Sequence, residues 1–207
     1  MQFADYPSFR TAVQTLLDGD DISTSDLSVN TLDLIIGAGE VRIYRDIRSS
    51  VQDTPLSITT TGNVAALPTD FLELKAGPWV TGFVGAIYAP YEAVNNSIQI
   101  GADTSSHAVY YTFASDALIF YPTQLDGTVI SGQYYKQFPD LVTGLNPLFT
   151  RHPDLFLYAA LAESAPFLGE MTRLPIWEQK YTGLAESANE QERRRYTRGS
   201  KMQTRVA

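Results

Sequence analysis

The sequence predicts an α+β protein: a helical bundle formed by the N- and C-terminal segments, an inserted antiparallel β domain between them, and a basic extended C-terminal tail. Two observations carry the prediction. Apolar residues recur at helical spacing near both ends, in residues 6–17 and 29–47 and again after 147, whereas the middle runs at a period of two in short stretches rich in β-branched and aromatic residues. The two patterns do not alternate along the chain, which argues against a doubly wound parallel sheet. The expected organisation is 1–48 with 147–190 as the bundle, 49–146 as the β-rich insertion and 191–207 as the tail. At 207 residues, 44% of them hydrophobic, the chain is long enough to bury a sizeable core.

The first helix starts at Pro7, whose fixed φ suits a first turn, and sets Tyr6, Phe9, Val13, Leu16 and Leu17 at helical spacing. Asp18-Gly19-Asp20-Asp21 stops it. A second helix runs from Asp26 or Val29 to Ile47, with Leu32, Ile35, Ile36, Gly39, Ile43 and Ile47 on its apolar stripe. Glu40, Arg42, Arg45, Asp46 and Arg48 form its mixed-charge outer face. From Ser49 the period changes, for Leu56, Ile58 and Thr60 alternate with polar neighbours and Thr61-Gly62-Asn63 marks a turn. Residues 71–75, 85–88, 97–100, 108–113, 118–121 and 128–136 follow as short strands. Helix returns after Pro147, where Thr150 or His152 can cap, Pro153 fits the first turn and Asp154 complements the helix dipole. Residues 155–162 are apolar nearly all round, so this helix must be enclosed by others. Pro166 has to kink or end it. A last helix from about Pro175 aligns Trp177, Tyr181, Leu184 and Ala188 and then runs into the tail.

The charge is unevenly placed. From 189 to 207, Arg193, Arg194, Arg195, Arg198, Lys201 and Arg205 stand against Glu190 and Glu192, a net of +4, and the rest of the chain carries −12. An acidic body repels nucleic acid, while a basic tail is either a solvated terminus or a segment that seeks an anionic surface. No apolar run approaches the roughly 20 residues of a spanning helix, so no membrane association is expected. The first residues lack a basic segment followed by an apolar stretch, so no secretory signal is expected and synthesis in the cytoplasm fits. The absence of cysteine excludes disulfides and thiol chemistry.

Motifs for chemistry are weak. Gly37-Ala38-Gly39 resembles a phosphate loop, but Arg42 stands where the dinucleotide fingerprint needs its third glycine and a β-rich stretch follows. The alternative is that Gly37 and Gly39 let a helix approach its neighbour or bend. The two histidines, His107 and His152, show no metal-ligand spacing, and no Gly-x-Ser-x-Gly elbow occurs. No catalytic, cofactor-binding or metal-binding residue is therefore assigned. Glu163 is the oddity of the apolar helix, since a carboxylate there must be paired or face an interface. The aromatic pairs Tyr110-Tyr111, Phe120-Tyr121 and Tyr134-Tyr135 lie between Lys75 and Lys136 without interleaved basic residues. They suit a core or a protein interface better than a groove that stacks bases.

Four blocks in order resemble the head-to-tail adaptor proteins of tailed bacteriophages, the phage adaptor or tail tubular protein A type. They are residues 39–48, GEVRIYRDIR; 66–74, ALPTDFLEL; 150–161 with 165–168, the run TRHPDLFLYAAL followed by APFL; and the Arg-rich end, 192–205. Glycine at 37 and 39 departs from the alanine-like helix formers expected there.

The resemblance implies a structural virion protein without catalysis or cofactor, made in the host cytoplasm and placed at the head–tail junction. It would form a ring of about twelve copies under the portal protein, closed by heterologous contacts. The ring would continue the DNA channel to a downstream tail protein, a nozzle or tail tube. DNA would pass without specific binding, since gripping it requires Lys and Arg against phosphates. Arg193, Arg194, Arg195, Tyr196, Arg198, Lys201, Met202, Arg205 and Val206 are the expected portal-docking segment. Glu40, Arg42, Arg45, Asp46 and Arg48 are the expected subunit interface. A tail terminator, a head-completion protein or a virion-borne cell-wall hydrolase are the alternatives.

Overall fold

The structure, a computed structural model, describes residues 3, 5–18, 29–83, 85–100, 108–124, 126–144, 146–169 and 171–197. Its elements are helices α1 (Tyr6–Asp18), α2 (Val29–Asp46), α3 (Tyr91–Ile100), α4 (Pro147–Arg151), α5 (Pro153–Leu168) and α6 (Leu174–Thr197). Its strands are β1 (Asp53–Thr59), β2 (Val64–Ala66), β3 (Phe71–Val80), β4 (Ala86–Tyr88), β5 (Val109–Ala114), β6 (Ala117–Tyr121) and β7 (Val129–Lys136). They divide into two compact units, Met1–Val51 with Phe138–Ala207, and Gln52–Gln137.

The first unit is helical and centres on α5, which packs against α1, α2, α4 and α6. Leu155, Phe156, Leu157, Ala159, Ala160 and Leu161 are all buried, as their all-round apolar pattern requires. Pro153 and Asp154 occupy the first turn, and Pro166 lies two residues before the end, where Gly169 takes up the left-handed conformation at φ 72°. The predicted stripe of α2 is buried from Leu32 to Ile47, and Phe9, Val13 and Leu17 of α1 are buried with it. Leu16, read as part of that stripe, is exposed. Tyr6 Oη donates to Asp33 Oδ1 at 2.5 Å, and Phe9 meets Phe149 edge to face at 5.0 Å, tying α1 to α2 and α4.

Asn146 caps α4, its side-chain oxygen accepting from Leu148 N at 3.0 Å and Phe149 N at 3.2 Å. His152, one of the two candidates, occupies the N-cap of α5, but its side chain makes no capping bond there. Residues 138–146, assigned from the sequence to the insertion, belong with the helices. Polar side chains of α2 hold them there, as described below.

The second unit contains two sheets. One is antiparallel in the order β1-β7-β3; the other has the order β2-β6-β5-β4. Ala65, Val80, Val109, Tyr111, Leu118, Phe120 and Ile130 form its core. The all-antiparallel expectation is corrected at one pair, for β4 runs parallel to β5. The cause is a second correction: residues 97–100, expected as a strand, are the end of α3, which begins after Ala89-Pro90 with Glu92 in its first turn. A helix between two neighbouring strands supplies the crossover that parallel pairing needs. Four residues were too few to separate a period of two from one of 3.6.

Candidate interaction surfaces

Of the five charged residues expected on the outer face of α2, Glu40 is not there. It is 4% exposed. Its Oε2 accepts from Leu141 N at 3.1 Å and its Oε1 from Asn146 Nδ2 at 2.9 Å. One turn on, Tyr44 Oη accepts from Phe138 N at 3.2 Å and from Asn146 Nδ2 at 3.0 Å. The two side chains thus satisfy buried backbone donors of residues 138–141 that form no sheet ladder. Residue 40 follows Gly39 on the helix edge nearest the core, and a wheel drawn on hydropathy alone assigns a charge there to solvent.

Burial pushes the Glu40 carboxyl up to about 7, against the opposing influence of its two donors. The folded protein therefore holds a proton that the unfolded chain has released between pH 4.5 and about 7. Glu40 stabilises the fold fully below this window, and that contribution, about 3 kcal/mol, is lost as pH rises through it. Urea unfolding of wild type and Glu40→Gln at pH 5 and pH 8 checks this. The stability difference between the two should shift toward the variant by about 3 kcal/mol at the higher pH; a difference independent of pH contradicts it. The amide introduced by Glu40→Gln must turn one of its own donors toward a neighbouring donor, so only the pH dependence, not the offset, is diagnostic.

Arg42 and Asp46 are committed within the chain. Arg42 makes a two-pronged pair with Glu178 of α6, at 2.8 and 2.6 Å, and reaches Glu163 of α5 at 3.3 Å. Its guanidinium lies over the Tyr181 ring at 4.2 Å, and Tyr181 Oη donates to Asp46 Oδ2 at 2.7 Å. The hydrogen-bonded Arg42 holds Glu178 below the usual carboxylate range. Glu163 is thus paired, as its place on α5 demands. Arg48 donates to the carbonyls of Tyr44 and Ile47, closing the end of α2. Arg45 is exposed.

The expected extended tail is corrected in part, because α6 continues as helix to Thr197. Its buried stripe also passes Ala188 and reaches Glu192, whose Oε1 accepts from Ser49 and Ser50 at 3.2 Å and pairs with Arg151 at 2.9 Å. Arg195 donates to Ser50. Arg193 and Arg194 project with side chains 76% and 68% exposed, each beside Glu190. The side chain of Tyr196, and Arg198, Lys201, Met202, Arg205 and Val206, lie outside the described residues, as does His107.

The strand aromatics split between faces. Tyr111, Phe120 and Tyr134 are buried, while Tyr110, Tyr121 and Tyr135 are half-buried. Gly37-Ala38-Gly39 is mid-helix and forms no phosphate loop. Among the described residues, no cluster of three His, Cys, Asp or Glu side chains could hold a metal, and no helix is long and apolar enough to cross a membrane.

The family model of the SU10 adaptor protein matches residues 4–205, and the chain belongs to that family, the head-to-tail adaptors of phage virions. A comparison with curated proteins finds no match.

Proposed function

We propose that the protein forms a ring of about twelve copies under the portal, joins the capsid to the tail and continues the DNA channel toward the next tail protein. The family carries the adaptor role. The −12 charge outside residues 189–207 supports free passage of DNA, since a wall short of Lys and Arg does not neutralise phosphates. The end of α6 and the residues after it dock the portal. The observation that carries this is the reach of α6 beyond Glu192, which presents Arg193 and Arg194 on a rigid helix. Arg forks placed this way suit carboxylates of a partner groove. Arg195 belongs to the same basic end, and Arg198, Lys201, Met202, Arg205 and Val206 extend it. On α2, Arg45 is the charged residue that remains for a neighbour.

Arg193→Ala with Arg194→Ala should leave the melting temperature unchanged within a degree or two, because neither side chain is buried. Portal binding, followed by co-sedimentation, should weaken about 10- to 100-fold. Removal of residues 198–207 should weaken it further. Undiminished co-sedimentation of both variants would put the docking surface elsewhere.

A further inference from the structure

We propose that the outer face of α2 in one copy packs, parallel and in a single register, against the outer face of α6 in the next copy, and that this contact closes the ring. The inference rests on the ring reading above. The α2 stripe that avoids the core is Leu34, Ala38, Val41 and Arg45, and Leu34 and Val41 are 72% and 57% exposed. The outward line of α6 is Ile176, Lys180, Gly183 and Glu186, with Ile176 59% exposed. Leu34 and Val41 stand one above the other on the same helix face, where a second helix can cover both.

The two lines complement one another step by step. Leu34 and Val41 are seven residues apart, as are Ile176 and Gly183, which is the spacing that keeps two parallel helices in contact over two turns. With Leu34 against Ile176, Val41 falls over Gly183, where a Cβ would meet nothing within 4 Å of its own chain. Nothing inside the chain requires glycine there, and glycine disfavours the helix. An opposing Val41 gives the gap a use. Ala38 then leaves room for the Lys180 stem beside the groove that Ala38 and Val41 line. Arg45 falls opposite Ser187, one residue from Glu186, whose carboxylate its long side chain can meet. Both helices therefore pair opposite charges at one end and large with small in the middle.

A second copy is favoured over an unrelated partner because the chain itself carries the matching spacing, the gap and both opposite charges. The two faces differ, so the contact is head-to-tail, the kind that generates a ring when its rotation closes. Two α2 faces meeting about a two-fold axis would instead set Arg45 against Leu34, a charge against an apolar side chain.

The chain has no cysteine, so Val41→Cys with Gly183→Cys introduces the only two thiols. Bound to the portal and mildly oxidised, this double variant should give a ladder of covalent multimers beyond the dimer, while each single variant stays monomeric under denaturing conditions. Dimers of Val41→Cys alone would show a two-fold contact and overturn the proposal. A ring seen by electron microscopy without the ladder overturns the contact and leaves the ring standing; portal-bound protein that forms no ring removes both. Gly183→Leu separates folding from assembly: an equal or higher melting temperature with loss of the ring is expected, and an intact ring refutes the contact. Arg45→Glu should also break the ring, and Arg45→Glu with Glu186→Arg should restore it.

Discussion

Leu157→Asp is expected to abolish the cooperative unfolding transition of the helical unit. Leu157 is 2% exposed on a helix that α1, α2, α4 and α6 enclose, so a carboxylate there has neither water nor a cation within its own turn. An unpaired buried charge, with the loss of a leucine's packing, costs several kcal/mol, a large share of the roughly 5–15 kcal/mol that holds a domain together. Leu161→Asp should behave alike. Phe167→Asp, an exposed position on the same helix, is the control and should change stability by no more than about 0.5 kcal/mol. Circular dichroism melts decide the matter: a soluble Leu157→Asp protein that melts cooperatively would remove α5 from the centre of the unit.

The second large effect is a pair of opposite signs on one helix. A Cβ on Gly39 would lie 2.9 Å from Ala160 N and 3.1 Å from Ala159 C, both backbone atoms that cannot turn aside. Gly39→Ala must push α2 away from α5 and should destabilise by about 1–3 kcal/mol, despite alanine's better helix propensity, with Gly39→Val worse. A Cβ on Gly37 meets nothing within 4 Å, so Gly37→Ala should instead stabilise by up to about 1 kcal/mol. Chemical denaturation of the two variants measures both. Equal effects at 37 and 39 would mean that the helices are not in contact at Ala160.

This pair also shows what the residues alone could reveal. The reading of Gly-x-Gly as a helix packing device was open to inspection from the missing third glycine and the β-rich stretch that follows. Which glycine does the packing was not, because that depends on α5, more than a hundred residues away in sequence. The apolar stripes of α1, α2 and α6 and the enclosed character of α5 were legible from periodicity, since burial of one face sets the period. Glu40 was not, for its partners are the backbone N–H of Leu141 and the amide of Asn146, and no local pattern announces a carboxylate that serves a distant loop. The parallel pair of β4 and β5 was hidden behind the misread α3. At the basic end, composition made the charge visible but could not say that the helix would carry it as far as Thr197.

The most direct test of the adaptor account is electron microscopy of the protein mixed with its portal. A closed ring of added density is expected at one end of the portal, coaxial with it and open along the axis, and it should be lost when the end of α6 is altered by Arg193→Ala, Arg194→Ala and removal of residues 198–207. Portals that remain bare, or that bear density off the axis or across the channel, would contradict it.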